Sequence, residues 1–222
     1  MDWPALALSL RLGAATVLIL LPLGIFVGRL LAFSRFRGKG FAEAMLALPL
    51  VLPPTVLGFY LLEIFGGNSP LGEGWQALLG RPLVFSFEGL VLASVIVNVP
   101  FAVQPMQRGF EAIPPDVREA AACSGLSPWR VLWMIDLPLA WPGVVTGLVL
   151  TFAHTLGEFG VVLMVGGSIP GETRTIAIAI YDRVQAFDNH AAGIMSAVLL
   201  LSSLGALGIT YILSSRIGRR HA

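Results

Sequence analysis

The stretch Glu119-Ala120-Ala121-Ala122-Cys123-Ser124-Gly125, followed after nine residues by Ile135-Asp136-Leu137-Pro138, is the most informative part of this 222-residue chain. Three consecutive alanines favour a helix with almost no side-chain bulk, and such a helix can enter a groove on a partner closely. Pro115 suits the first turn of that helix, and Gly125 suits a left-handed turn that ends it. Ser127 suits the cap of a second short helix, with Pro128 at its first position. We expect two short helices that meet at nearly a right angle.

The composition around this stretch is typical of an integral membrane protein. Hydrophobic residues make up 56% and charged residues 12% of the chain, against roughly 45–50% and 25% in soluble domains. The mean hydropathy is +0.82. A net charge of +1 gives no indication of a nucleic-acid partner, and the single cysteine excludes an internal disulfide framework.

The apolar segments predict an all-α polytopic fold with a single membrane domain over residues 1–222. A spanning helix needs roughly 20 mainly apolar residues. Five spans are predicted, at about residues 5–33, 43–64, 87–107, 137–166 and 190–215, and a sixth short element within 167–189 stays open. Arg11 and Arg29 are expected to extend toward the two headgroup layers. Prolines are expected to kink the second and third spans: Pro49, Pro53, Pro54, Pro100 and Pro105.

Lysine and arginine predict the orientation. With five spans, loop 34–41, loop 108–136 and the tail lie on one side and hold nine basic residues: Arg35, Arg37, Lys39, Arg108, Arg118, Arg130, Arg216, Arg219 and Arg220. The other side holds three, Arg81, Arg174 and Arg183. The positive-inside rule therefore places the N-terminus outside the cell, and loop 108–136 and the C-terminus in the cytoplasm.

The opening stretch resembles the "EAA" signature of binding-protein-dependent ABC permeases at every fixed position. The resemblance implies a type I ABC importer permease fold in which loop 108–136 carries a coupling helix that docks on a cytoplasmic ATPase. The residues implied for docking are Glu119, Ala120, Ala121, Gly125, Ser127 and Pro128, and the motif ends at Ile135, Leu137 and Pro138. An ordinary amphipathic helix at the membrane surface is the alternative.

Energy is expected to come from a separate subunit. A phosphate-binding loop needs Gly-x-x-x-x-Gly-Lys-Ser/Thr, and the only lysine, Lys39, is followed by Gly40. We find no catalytic triad, dinucleotide loop or Cys/His metal cluster in the sequence, so no catalytic residue, metal or bound cofactor is expected, and ATP would bind to the partner. The resemblance further implies a periplasmic or lipid-anchored binding protein, a second copy of this chain and location in the inner membrane.

Segments 48–58, 156–160, 166–175 and 178–181 resemble bacterial molybdate permeases. Sulfate permeases share the Gly157-Glu158-Phe159-Gly160 element, whereas the run Ile169–Thr175 is more particular to the molybdate type. Molybdate is therefore the expected substrate. Sulfate or tungstate permeases, and a secondary oxyanion transporter, are the alternatives.

Two further sets of residues are candidate sites. The first is a pathway or gate set: Pro53, Pro54, Thr55, Asn98, His154 and Glu158. His154 and Glu158 share a helix face, and hydrogen bonding between helices, pathway lining and proton or metal chemistry all remain open for them. The second set is on the external side, where Glu172, Arg174 and Arg183 either contact a binding protein or belong to a solvated loop.

Overall fold

The computed structural model describes residues 1–218 and, apart from residues 122, 206, 207 and 209–218, their side chains. Within this part the chain forms α-helices and one π-helical turn, and no strand. The elements are α1 (Trp3–Phe33), α2 (Lys39–Val51), α3 (Pro54–Phe65), α4 (Pro70–Leu79), α5 (Phe87–Glu111), α6 (Pro115–Cys123), α7 (Pro128–Val131), the π-turn (Leu132–Asp136), α8 (Leu137–Gly157), α9 (Gly160–Gly166), α10 (Ile176–Gln185) and α11 (Asn189–Gly218).

Helix α5 is the centre of the bundle. Of the three long apolar helices it is the most buried, and α1, α8, α2 and α9 pack around it. Its N-terminus is capped by Ser86, whose hydroxyl accepts a hydrogen bond from the Gly89 amide at 3.1 Å. Pro100 and Pro105 lie inside this helix, which nevertheless continues from Phe87 to Glu111.

Glycines allow the central helices to approach each other closely. A Cβ atom at Gly143 of α8 would lie 2.5 Å from the Pro105 carbonyl oxygen and 2.9 Å from Gly109 Cα, both on α5. A Cβ at Gly147 would lie 2.8 Å from the Ala102 oxygen. On α1, a Cβ at Gly28 would lie 3.0 Å from the Gln107 amide nitrogen. Small residues at these crossings let backbones touch, which is how helices associate in lipid.

The spans differ in detail from the predicted ones. By length and composition, Trp3–Phe33, Phe87–Glu111 and the continuous run Pro128–Gly157 are able to cross a membrane. The predicted span 43–64 is a pair of helices, α2 and α3, bent by 107°. The Pro53-Pro54 pair causes this bend. Proline has no backbone N–H to donate to the helix, and it disfavours helical backbone in the residue before it.

The predicted span 137–166 is divided into two helices in the structure. Helix α8 ends at Gly157, Glu158 is extended, and α9 begins at Gly160. Segment 167–189 does contain a helix, α10, which packs on α11 and α1. The fifth predicted span falls on α11, of which Asn189–Gly205 is apolar. The tail residues Arg219 and Arg220 lie outside the described residues.

We predict that Gly143→Ala destabilises the protein. The added methyl group would meet backbone atoms that cannot move aside independently, and overpacking of this kind costs about 1–3 kcal/mol. The measurement is the thermal midpoint of the detergent-purified protein. Gly193→Ala is the matched control, because Gly193 lies in α11 and a methyl group added there would have nothing within 4 Å. Equal midpoints for the two variants would contradict the close α5–α8 contact.

Candidate functional site

Helix α6 has the ends that the sequence predicts. Gly125 has a φ of 69°, the left-handed conformation that ends a helix. The Ser124 amide donates to the Ala120 oxygen at 3.0 Å, and the Leu126 amide to the Ala121 oxygen at 3.4 Å. Ser127 accepts a hydrogen bond from the Arg130 amide at 3.4 Å, with Pro128 at the first helical position. The second helix, α7, is a single turn that runs directly through the π-turn into α8.

The motif residues divide between an exposed surface and the protein interior. Glu119, Ala120, Gly125, Ser127 and Pro128 are exposed, and we call these five the α6 surface. Ala121 is turned inward and is only 4% exposed. At the end of the motif, Ile135 and Leu137 are half-buried and Pro138 is exposed. Ala121 therefore anchors α6, and the exposed residues are the ones available to a partner.

Asp136, inside the same motif, is a fully buried carboxylate between two arginines. Its Oδ2 accepts a hydrogen bond from Arg29 Nε at 2.7 Å, and its Oδ1 lies 3.6 Å from Arg118 Nε. Arg118 also stacks on the Phe33 ring, with its guanidinium carbon 3.5 Å from the ring centroid. Three elements, α1, α6 and the π-turn, are thus joined through one side chain.

Sequence reasoning missed this arrangement. Arg29 was expected to extend toward the headgroups, and the structure instead pairs it with Asp136. The available signal was Asp136 itself, a charged residue between Ile135 and Leu137 at the start of an apolar span. A carboxylate in that setting needs a cationic partner. Arg11, the other arginine of α1, lies over the Phe87 ring with its guanidinium carbon 4.8 Å from the centroid.

A second polar network at the same end of the bundle links α2 to α5. Gln107 donates to Glu43 at 2.7 Å and to Glu111 at 2.8 Å. Lys39 lies 3.8 Å from Glu43 and 3.9 Å from Glu111. Since Lys39 and Glu43 are on α2, and Gln107 and Glu111 on α5, the network fixes where α2 begins.

Within the bundle, three of the candidate pathway residues come together. Asn98 of α5 is fully buried, and its Oδ1 lies 3.1 Å from His154 Nδ1 of α8. His154 stacks on Phe101, with ring centroids 4.1 Å apart, and its Nε2 lies 3.8 Å from Glu158 Oε2. The Asn98–His154 contact is a hydrogen bond between two helices, one of the three alternatives that the sequence left open.

Glu158 closes the break between α8 and α9. Its Oε1 accepts a hydrogen bond from the Val161 amide at 2.9 Å. The start of α9 would otherwise expose unpaired amides. A carboxylate at a helix N-terminus is also favoured by the helix dipole. The sequence signal for this break was the Gly157-Glu158-Phe159-Gly160 element.

The two helix breaks lie against each other. A Cβ at Gly160 would meet Pro54 Cβ at 2.8 Å, and one at Gly58 would meet Met164 at 2.9 Å. Helices α3 and α9 therefore pack closely just beyond both breaks. Pro53, Pro54 and Thr55 lie at the bend between α2 and α3 and are exposed. The structure thus brings the proline break near the Glu158 break.

At the opposite end of the bundle, two of the three candidate external residues make ion pairs. Arg174 lies 3.2 Å from Asp182 and 3.6 Å from Asp2, which ties α10 to the start of α1. Arg183 lies 3.4 Å from Asp188. Glu172 is exposed in a turn. Contact with a binding protein stays a prediction for these three residues.

In the described part of the chain, no group of three or more His, Cys, Asp and Glu side chains is placed to hold a metal ion.

The architecture is the permease domain fold of type I ABC importers. A bacterial ABC transporter for the acidic polysaccharide alginate has a similar fold, with a TM-score of 0.71 and 16% identity over 98% of this chain and 78% of that chain. An amino acid ABC transporter matches with a TM-score of 0.60 and 19% identity, over 96% of this chain and 92% of that one.

The sequence places the chain more narrowly. Residues 21–219 match the family described as binding-protein-dependent transport system inner membrane component, and the chain belongs to this family. It is 46% identical to the molybdenum transport system permease protein ModB of Azotobacter vinelandii, over 95% of this chain and 93% of that protein. The ModB protein of Escherichia coli K12 is 38% identical over 100% and 96%. The sulfate transport system permease protein CysT of E. coli K12 is 34% identical over 89% and 71%.

We predict that Asn98 and His154 stabilise the bundle through each other. Hydrogen bonds between membrane helices contribute about 0.6 kcal/mol on average. In a double-mutant cycle of Asn98→Ala and His154→Ala, measured by unfolding in mixed detergent micelles, a coupling of about this size is expected. Thr146→Ala combined with Asn98→Ala is the control, since Thr146 bonds within α8, to the Pro142 oxygen. Strictly additive effects of Asn98 and His154 would show that the contact contributes nothing.

Proposed function

We propose that this chain is the membrane-spanning subunit of an importer that carries molybdate across the inner membrane, powered by a separate ATPase. The identity of 46% over almost the whole of this chain and of a molybdenum permease carries the substrate assignment. The sulfate permease CysT is less similar and matches over less of its length. Sulfate is the second candidate on that ground, and tungstate, also a tetrahedral dianion, is the third.

The partners follow from the family and from the exposed surfaces. The ATPase would dock on the α6 surface. Ala120 and Gly125 carry little side-chain bulk there, so this surface can enter a cleft on the partner. A molybdate-binding protein would deliver substrate at the opposite end, where Glu172, Arg174 and Arg183 lie. The same arrangement puts α6 in the cytoplasm and the N-terminus outside, in agreement with the positive-inside rule.

A second copy of the chain would complete the pathway. Pro53, Pro54 and Thr55 are exposed beside a bent helix pair. Irregular backbone at membrane depth is tolerated only where protein or a water-filled cavity covers it. A homodimer that joins two such faces would enclose a passage near Asn98, His154 and Glu158.

The transport step would be alternating access. ATP binding would close the two ATPase subunits and displace the α6 surfaces attached to them. That displacement would tilt the helix bundles and open the passage alternately to each side. Selection of the anion would rest mainly with the binding protein, because a fixed cation in the passage would retain a dianion rather than release it.

Substrate identity is tested with the permease, its ATPase and its binding protein reconstituted in liposomes. We expect ATP hydrolysis to be stimulated when molybdate is supplied with the binding protein, and only weakly by sulfate. Stimulation by tungstate as well would indicate an importer of several oxyanions, whereas no stimulation by tungstate would indicate one restricted to molybdate. Equal stimulation by sulfate would overturn the molybdate assignment, and no response to any of the three anions would overturn the importer itself.

Docking on α6 is tested with Ala120→Leu. Ala120 is exposed, and a larger side chain there would prevent close entry into a cleft. We expect the variant to insert into the membrane normally but to lose co-purification of the ATPase. Ala77→Leu is the matched control, because Ala77 is an exposed helical alanine of α4 at the opposite end of the bundle. Normal ATPase retention by Ala120→Leu would exclude this surface as the docking site.

A further inference from the structure

We infer that Asp136 is the positioning residue through which movement of α6 reaches the transmembrane helices α1 and α8. This inference rests on the proposed function only in naming the ATPase as the source of the movement. Asp136 is the last residue before α8, and both of its carboxylate oxygens face arginines from other elements.

The burial of Asp136 makes its partners necessary. It is 0% exposed, and an ionised carboxylate removed from water is costly unless cations and hydrogen bonds compensate. Arg29 of α1 supplies a hydrogen bond of 2.7 Å to Oδ2. The connection between α1 and the start of α8 is therefore short and directional.

The connection to α6 is of a different kind. Arg118 Nε lies 3.6 Å from Oδ1, and neither atom makes a hydrogen bond within the described residues. This contact is an ion pair without a hydrogen bond, so its length can change while the attraction persists. Asp136 thus contacts α1 through a hydrogen-bonded ion pair and α6 through an ion pair alone.

Little else attaches α6 to the bundle. Ala121 is its one fully inward side chain among those described, and Arg118 is half-buried. A cavity of about 730 Å³ lies beside α6 and is lined by residues that include Phe33, Arg35, Lys39, Ile113 and Leu126. Space for displacement is therefore present, and Arg118 is the side chain that connects a displaced α6 to Asp136.

Phe33 makes the link directional. Its ring lies under Arg118, with the guanidinium carbon 3.5 Å from the centroid, and packs edge to face on Phe110 of α5 at 6.1 Å. Arg118 is therefore confined between an aromatic face and a carboxylate. A push on α6 along this direction reaches α1 through Phe33 and Arg29, and α8 through Asp136.

The native cysteine offers a direct test. Cys123 is the only cysteine of the chain and is exposed at the end of α6, so a spin label there reports the motion of α6. In the full-length permease in nanodiscs, without the ATPase, we expect Arg118→Gln and Asp136→Asn each to increase label mobility. The double variant should be no more mobile than the more mobile single one. Arg81→Gln, which removes an ion pair of 2.7 Å with Glu88 at the opposite end, is the control and should leave mobility unchanged.

Coupling is measured in the complex with ATPase and binding protein. We expect Arg118→Gln to retain ATPase binding and basal hydrolysis but to lose most of the stimulation by the loaded binding protein. Asp136→Asn should show the same loss of stimulation. If Asp136→Asn does not fold, Arg118→Gln still tests the inference, because it leaves the Arg29–Asp136 bond in place. Unchanged label mobility and full stimulation in Arg118→Gln would overturn the inference. Failure of the wild-type complex to respond to any anion would count against the proposed function alone, since the mobility measurement needs no substrate.

Discussion

Inside a bilayer no water is available to unpaired backbone groups, so a break in an apolar helix needs hydrogen-bond partners from the protein itself. The clearest case is the break between α8 and α9, where the Glu158 carboxylate accepts a hydrogen bond from the Val161 amide. A helix that stops within the membrane exposes amides, and a side chain from the break itself satisfies one of them. The same residue also lies next to His154, which connects the break to α5 through Asn98.

Polar groups are concentrated at a few depths of the bundle. One group surrounds Asp136 at the α6 end, one surrounds Asn98 and His154 within the bundle, and one surrounds Arg174 at the opposite end. The close contacts that glycines allow between α5 and its neighbours α1 and α8 lie between the Asn98 group and the Asp136 group. The apolar contacts set how close the helices lie, while the polar groups set which side chains pair across them.

Local features of the chain were largely predictable from the sequence. The turn at Gly125, the Ser127 cap and the bend at Pro53 each follow from the backbone preferences of single residues, so neighbouring residues suffice to predict them. Features that depend on distant partners were not predictable. Arg29 and Asp136 are 107 residues apart, and nothing local in either segment indicates that they meet. The exact position of the interruption at Glu158 was not predicted because the flanking residues are apolar, and the inward turn of Ala121 was not predicted because its neighbours are also alanines.

The π-turn at Leu132–Asp136 has a consequence for how α6 and α8 are oriented relative to each other. Its closing bond runs from the Leu137 amide to the Leu132 oxygen, one residue further than in an α-helix. One residue of α-helix corresponds to about 100° of rotation around the axis. Everything before the π-turn, including Trp129 and the link to α6, is therefore turned around the α8 axis by a single surplus residue. Loss of that residue would restore a regular helix and turn α6 and α7 around the α8 axis by about 100°. The length of this one turn therefore sets the direction in which α6 faces relative to α8.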